Sequence, residues 1–228
     1  MLDLIYYSLH ALGFLACALY ILRFAGAYEL DGKKSVLIFL CFYSCSYLLM
    51  LLLYFLIVGK FGGQNVVRIF VFIPVFSSLF CRIFRTDVIR SLDLFAPLVC
   101  ICQAFGKIGC QIVGCCQSQI AVSWGIPNRY TGTRLFPVQL LEGAVSAAIA
   151  VGLVLFAKKR NFRCRGLCMP YMFISFGVTR FFLEFLRNNV KLFWGISELA
   201  LWCVFMTVVG VCWLFVDRWN RWDPRTES

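Results

Sequence analysis

Seven apolar runs divide this chain, at 4–24, 35–58, 66–84, 92–116, 136–157, 166–186 and 192–216. Their hydrophobic positions are continuous, without the alternation of a strand that faces lipid on one side. A run of about 20 apolar residues spans the hydrocarbon core as a helix. Backbone in lipid is satisfied only within helices or a closed barrel, so the pattern selects helices. It predicts an all-α integral membrane protein, a bundle of about seven transmembrane helices enclosing a lipid-accessible cavity. One transmembrane domain covers 1–217, followed by a short basic tail at 218–228. Pro74 inside the third run predicts a kink. The fourth run is interrupted by glycines, and part of it is expected to unwind.

Composition agrees: 61 % of the 228 residues are hydrophobic, against about 45–50 % apolar in soluble domains. The net charge of +11 falls in short connections, where topology and anionic headgroups account for it. Nucleic-acid binding is not expected, because no soluble domain exists to carry it. Connections after the first, third, fifth and seventh runs, with the run ends beside them, hold fourteen Lys and Arg, the other side six, and Lys107 and Arg180 lie deeper within runs. The positive-inside rule then places the N-terminus outside and the C-terminus in the cytoplasm. The start, Met-Leu-Asp, has no basic region before its apolar run, which argues against a cleaved signal peptide. Trp124 and Tyr130, in the long polar connection 117–135, are expected to anchor at the membrane interface.

The fourth run ends unlike plain membrane helix, as Gly106-Lys-Ile-Gly-Cys-Gln-Ile-Val-Gly-Cys-Cys-Gln117. A lysine at bilayer depth costs about 3 kcal/mol on insertion scales. Glycines weaken a helix by about 1 kcal/mol each unless something packs on them. Such a stretch faces a cavity or the bundle interior, not lipid.

Other polar groups share that depth. Arg180 and Glu184 stand i, i+4 in the sixth run, with Arg187 extending the stripe. They form either an internal ion pair or an arginine poised for a lipid phosphate with Glu184 orienting it. Gln139 and Glu142 share a face at the start of the fifth run, just after Pro137. Asp3, Tyr7 and His10 share a face of the first run; they form a wet helix end, or Tyr7 and His10 reach the cavity. Asp93 reads as an N-cap for the fourth helix. Of 13 cysteines, Cys17, Cys41, Cys45, Cys203 and Cys212 read as small packing side chains. Cys110, Cys115 and Cys116 could make a redox or metal site, but vicinal pairs bridge poorly and zinc usually takes four ligands. No metal ligand set is assigned.

These motifs, in order, resemble the prolipoprotein diacylglyceryl transferase family. Asp93-Leu-Phe-Ala-Pro97 and Gly106-Lys-Ile-Gly109 resemble the approach to its signature G-R-x-G-N-x-x-N-G-E-x-x-G. Trp124-Gly125 resembles the following W-G, and Pro137-Val-Gln-Leu-Leu-Glu142 resembles H-P-[ST]-Q-L-Y-E. Arg180-Phe-Phe-Leu-Glu-Phe-Leu-Arg187 resembles R-F-x-x-E-F-x-R, and Tyr6-Tyr7 with Ala11–Phe14 resembles the opening W-Y-G. The chain departs from the pattern at Lys107 for the signature arginine, at Cys110 and Val113 for its asparagines and at Cys115 for its glutamate. Ser118 replaces its last glycine, Phe136 the histidine of H-P-x-Q, and Phe176 a tyrosine before Arg180. An H-G-G motif is absent near 72–80. The Gly-Cys-Cys form looks like a divergent branch.

The resemblance implies a bacterial inner-membrane enzyme that moves a diacylglyceryl group from phosphatidylglycerol to a lipobox cysteine thiol, releasing glycerol phosphate. Phospholipid and a prolipoprotein signal peptide are its partners, and no cofactor is implied. Such chemistry needs cations for the leaving phosphate and a base for the thiol. Arg180 and Lys107 supply charge, Glu184 orients Arg180, and His10 with Tyr7 is offered for the base. Gly106, Gly109, Cys110, Gly114, Gln139, Glu142 and Arg187 are the substrate-binding candidates. The alternative is a catalytically altered member that binds a phospholipid or a partner without turnover.

Overall fold

The computed structural model describes residues 2–58, 66–128, 131–187, 191–193 and 196–222, with side chains described except at 2–3, 57–58, 66–69, 191–193 and 218–222. Within these, seven helices follow the seven apolar runs: α1 Leu2–Phe24, α2 Gly32–Val58, α3 Val66–Ile83, α4 Val88–Val113, α5 Val138–Lys159, α6 Cys168–Glu184 and α7 Glu198–Trp222. Helices α1, α2, α4, α5 and α7 are each long and apolar enough to cross a membrane. α3 has a shorter apolar stretch, Phe70–Ile83. Pro74 lies inside α3 without ending the helix, and its carbonyl accepts from Ser77 Oγ at 3.3 Å. α7 continues to Trp222, past the predicted start of the basic tail.

α4 is the central helix. Of its span, 61 % is buried inside the protein, against 17–33 % for the other four long spans. It packs on α1 along one side and α5 along the other, and it also meets α3 and α6; α6 pairs with α7. Aromatic contacts fill the middle, among them Phe42 on Phe95 and Phe70 on Phe176, each with ring centroids 5.1 Å apart. Cys17 and Cys203 are fully buried, as packing thiols should be, while Cys212 is exposed on α7. Burial does not hold for Cys212 because α7 contributes only one flank to the bundle.

The cap of α4 differs from the sequence expectation. Asp87 is the N-cap of α4, accepting from the Arg90 amide at 2.9 Å. Asp93 lies a turn further in, buried, and accepts from the amides of Gly166 at 2.8 Å and Cys168 at 2.9 Å. It caps α6 instead, satisfying orphan donors at that helix's start.

The end of α4 also differs. Gly106 to Val113 stay helical, and unwinding begins only at Gly114, a left-handed C-cap with φ +79°. The glycines inside α4 serve contact with α1. A Cβ at Gly106 would lie 3.2 Å from His10 Nε2, and one at Gly109 3.1 Å from the Tyr6 ring. The small residues therefore let two helices approach closely, as membrane helix pairs do.

The connection after α4 forms an antiparallel hairpin, β1 Ala121–Pro127 with β2 Arg134–Leu135. Ser118 Oγ donates to the Leu186 carbonyl at 2.7 Å, fastening this connection to the end of α6. A second short ladder, β3 Lys191–Phe193 with β4 Ile196–Ser197, leads into α7. Trp124 is exposed on the hairpin, as an interface anchor would be, and Tyr130 lies outside the described residues.

Candidate active site

At the hairpin end of the bundle, α4, α5, α6 and the segment after α6 bring five charged side chains into the interior. Lys107, Glu142, Arg180, Glu184 and Arg187 are all buried. Glu142 is the hub. Its Oε1 lies 2.8 Å from Arg180 Nη1 and 3.2 Å from Arg187 Nη1, and its Oε2 pairs with Lys107 Nζ. Arg180 turns its other nitrogen, Nη2, to Glu184 Oε2 at 3.0 Å, along its own helix. Ser197, in β4 just before α7, donates to Glu184 Oε1 at 2.8 Å. Its oxygen in turn accepts from the Ala200 amide at 3.2 Å, so the network reaches a fourth helix.

The two sequence readings of Arg180 and Glu184, ion pair and phosphate site, are compatible in this arrangement. Buried charge is tolerated only when paired and hydrogen-bonded. Here three cations meet two carboxylates, which leaves one positive charge in excess. An anion entering this end is therefore attracted. Arg180 is held at both ends of its fork, so its guanidinium is fixed before any ligand arrives.

Two clefts open beside the cluster. One of about 330 Å³ runs between Gln111, Gly114, Phe136 and Gln139. The other, of about 550 Å³, is lined by Gly114, Cys116, Ser118 and the hairpin, with Arg187 at its wall. Both fall in the size range of small-molecule sites. The fourth helix's end, the hairpin and the start of α5 line them, and α1 does not. Among the described residues, Arg187 is the charged side chain of the cluster that reaches a cleft.

The structure distributes the other predicted site residues as follows. Gln139 is buried and donates through Nε2 to the Cys115 carbonyl at 2.8 Å, bracing the turn after α4. Gly106 and Gly109 hold α1, and Gly114 makes the turn itself. His10 is half-buried; its Nδ1 donates to the Tyr6 carbonyl at 2.9 Å, which leaves Nε2 facing Gly106. Tyr7 points away from the bundle, 68 % exposed. Its neighbour Tyr6 takes the inward place, seated on Gly109 and within electrostatic reach of Cys110, Cys115 and Cys116. Tyr6, His10, Gly13 and Cys17 recur at helical spacing along the face of α1 that meets α4, and that pattern was the available signal. Ser197 was also missed, since it lies outside the charged motifs.

Cys110, Cys115 and Cys116 come together. Their sulfurs all lie within 4.8 Å of one another, and none is in a disulfide. The αL residues Gly114 and Cys116, at φ +79° and +60°, fold the chain back onto the last turn of α4. Where the family pattern has its histidine, Phe136 stacks edge-on against Trp124 with centroids 5.6 Å apart.

A family model described as prolipoprotein diacylglyceryl transferase matches residues 5–216. A phosphatidylglycerol--prolipoprotein diacylglyceryl transferase of Clostridium tetani is 29 % identical over 153 residues, covering 63 % of this chain and 59 % of the relative. A second protein of that name, numbered 2, from Clostridium perfringens is 27 % identical over 150 residues, covering 63 % and 57 %. Another from Leptospira interrogans is 24 % identical over 204 residues, covering 74 % and 63 %. The matched region spans less than two thirds of the length of each of these relatives. The family match runs from the first helix into the last and takes in every charged residue of the buried cluster, so the chain belongs to the prolipoprotein diacylglyceryl transferase family.

Proposed function

We propose that this chain is a phosphatidylglycerol–prolipoprotein diacylglyceryl transferase of a bacterial inner membrane, with its N-terminus outside and its C-terminus in the cytoplasm. One observation carries the reading: Arg180, buried and held between Glu142 and Glu184, stands in a cluster with one cation in excess. A lipid phosphate is the anion that such a site suits in a membrane protein. In the reaction, the acceptor thiol gives up its proton, its thiolate sulfur attacks the glyceryl carbon and a C–S bond forms. The C–O bond to phosphate breaks, and its electron pair leaves with glycerol phosphate. Charge grows on the leaving phosphate, and a preset guanidinium stabilises that growth. Lys107 adds positive charge but not a fork. Arg187 faces the cleft and suits the entry of the headgroup.

The relatives' names support phosphatidylglycerol and prolipoprotein as substrates. The uneven spread of Lys and Arg supports the orientation, which puts the charge cluster and hairpin at the outer face. Phe136 favours a second reading, a lipid-binding member without turnover, because an aromatic ring packed on Trp124 offers no base.

The test is turnover in bilayers. Purified protein is reconstituted with labelled phosphatidylglycerol and a lipobox peptide, and peptide lipidation is followed together with glycerol phosphate release. The transferase reading expects both, and expects Arg180→Ala to lose both. Lipid binding without release would establish the second reading instead.

A further inference from the structure

We propose that Cys110, Cys115 and Cys116 form a three-thiolate zinc site whose open fourth position receives the acceptor thiol. The inference rests on the transferase reading, and it answers a question that reading raises: what deprotonates the acceptor once Phe136 stands where a histidine would.

Geometry comes first. Zinc–sulfur bonds of about 2.3 Å put the sulfurs of a trigonal or tetrahedral set roughly 3.8–4.0 Å apart. The three sulfurs here lie within 4.8 Å of one another, so small rotations of the side chains suffice. The backbone is built for the convergence. Gly114 and Cys116 both adopt the left-handed conformation, the Cys115 amide donates to the Cys110 carbonyl at 3.1 Å, and Gln139 clamps the Cys115 carbonyl. Soft thiolate ligands select zinc and copper(I) over the hard cations. Three protein ligands with a free position are the pattern of catalytic zinc, whereas structural zinc is closed by four.

Charge is consistent with this set. Three thiolates on a divalent ion carry one negative charge. Lys107 and Arg187 both act electrostatically on Cys116, which suits an anionic metal–thiolate set there. Access is consistent too, since Cys116 lines the 550 Å³ cleft that Arg187 also lines. An acceptor sulfur at the fourth position and a phosphate at Arg187 would share one cleft.

The step balances without a redox change. The acceptor thiol gives its proton to water as its sulfur takes the open position, because a coordinating thiol is deprotonated. The sulfur then forms its bond to the glyceryl carbon, the carbon–oxygen bond breaks, and glycerol phosphate takes the electron pair. The thioether product is a weaker ligand and departs.

The experiment has two readouts. Protein purified under reducing conditions is stripped with a chelator and reloaded with zinc or cobalt(II). Metal content is measured, and the thiolate-to-cobalt charge-transfer absorption is recorded with and without lipobox peptide. The site expects stoichiometric metal and an absorption that shifts when peptide is added. Cys110→Ser, Cys115→Ser and Cys116→Ser are each expected to lower metal affinity at least tenfold, and Cys212→Ser, exposed on α7, to leave it unchanged. Failure of the reduced wild type to bind metal overturns the site, as does a triple serine variant that still binds it. Full transferase activity after chelation and in Cys116→Ser overturns the site while the transferase reading stands. Metal bound normally, with no lipidation and no shift on adding peptide, overturns the acceptor role and the transferase reading together.

Discussion

Arg180 on α6 and Glu142 on α5 are joined at 2.8 Å in the interior, and the same Glu142 also holds Lys107 and Arg187. One carboxylate thus anchors three cations from two helices and the segment after α6. Removing it leaves them to repel one another in a medium that screens poorly. Breaking a buried pair by deleting one partner costs about 3–5 kcal/mol. Glu142→Gln is therefore expected to lower the unfolding free energy measured in detergent by about that amount. Adding Lys107→Met should recover part of the loss, a coupling that a double-mutant cycle measures.

Arg180→Lys separates charge from geometry. A lysine cannot meet Glu142 and Glu184 through two fixed nitrogens, so the cation loses its preset position. Loss of one such transition-state donor costs on the order of 10²–10³ in rate. The expected outcome is a helical, folded protein in which lipidation of a lipobox peptide falls by at least 100-fold at saturating lipid. A variant with wild-type turnover would remove Arg180 from the reaction.

The sequence made the bundle legible because lipid imposes long uninterrupted apolar runs, and each run became a helix within a few residues. It also exposed Lys107, Glu142, Arg180 and Glu184, since charges in such runs are costly and must face inward. Tyr6 and Tyr7 show where reading stops. Both stand one turn from His10, and only the contact of Tyr6 with Gly109, made through tertiary packing, separates them. The thiol cluster was hidden for another reason. Five residues along a helix turn about 140° past a whole turn, so Cys110 and Cys115 would face apart had α4 continued. The left-handed turn at Gly114 reverses the chain and joins them.

Asp93 tests the cap it provides. Its two oxygens take the amides of Gly166 and Cys168 at the buried start of α6. Each donor left unsatisfied in the interior costs about 1–3 kcal/mol. Asp93→Ala is expected to destabilise the protein by the sum of two such losses, and Asp93→Asn, which keeps one acceptor oxygen, by about half. Hydrogen exchange should report the change first at the N-terminus of α6. An Asp93→Ala protein with unaltered exchange there would dismiss the cap.

Gly106→Ala should invert the ordinary rule for helices. In an exposed helix the change stabilises by about 1 kcal/mol. At Gly106 the new methyl meets His10 Nε2 at 3.2 Å, closer than a relaxed contact. His10 has little room to yield, since its Nδ1 is bonded to the Tyr6 carbonyl and its ring lies 4.3 Å from the Tyr6 ring. Tyr6 is itself seated on Gly109, so a retreat of His10 pushes α1 off two contacts at once. Overpacking of this kind costs about 1–3 kcal/mol, which outweighs the helix gain. Thermal unfolding is expected to show a lower midpoint for Gly106→Ala than for wild type. The doubly substituted Gly106→Ala, His10→Ala protein should regain most of the difference, because the methyl then enters space that the imidazole has left. A Gly106→Ala protein as stable as wild type, with or without His10, would mean that α1 and α4 do not meet along this seam.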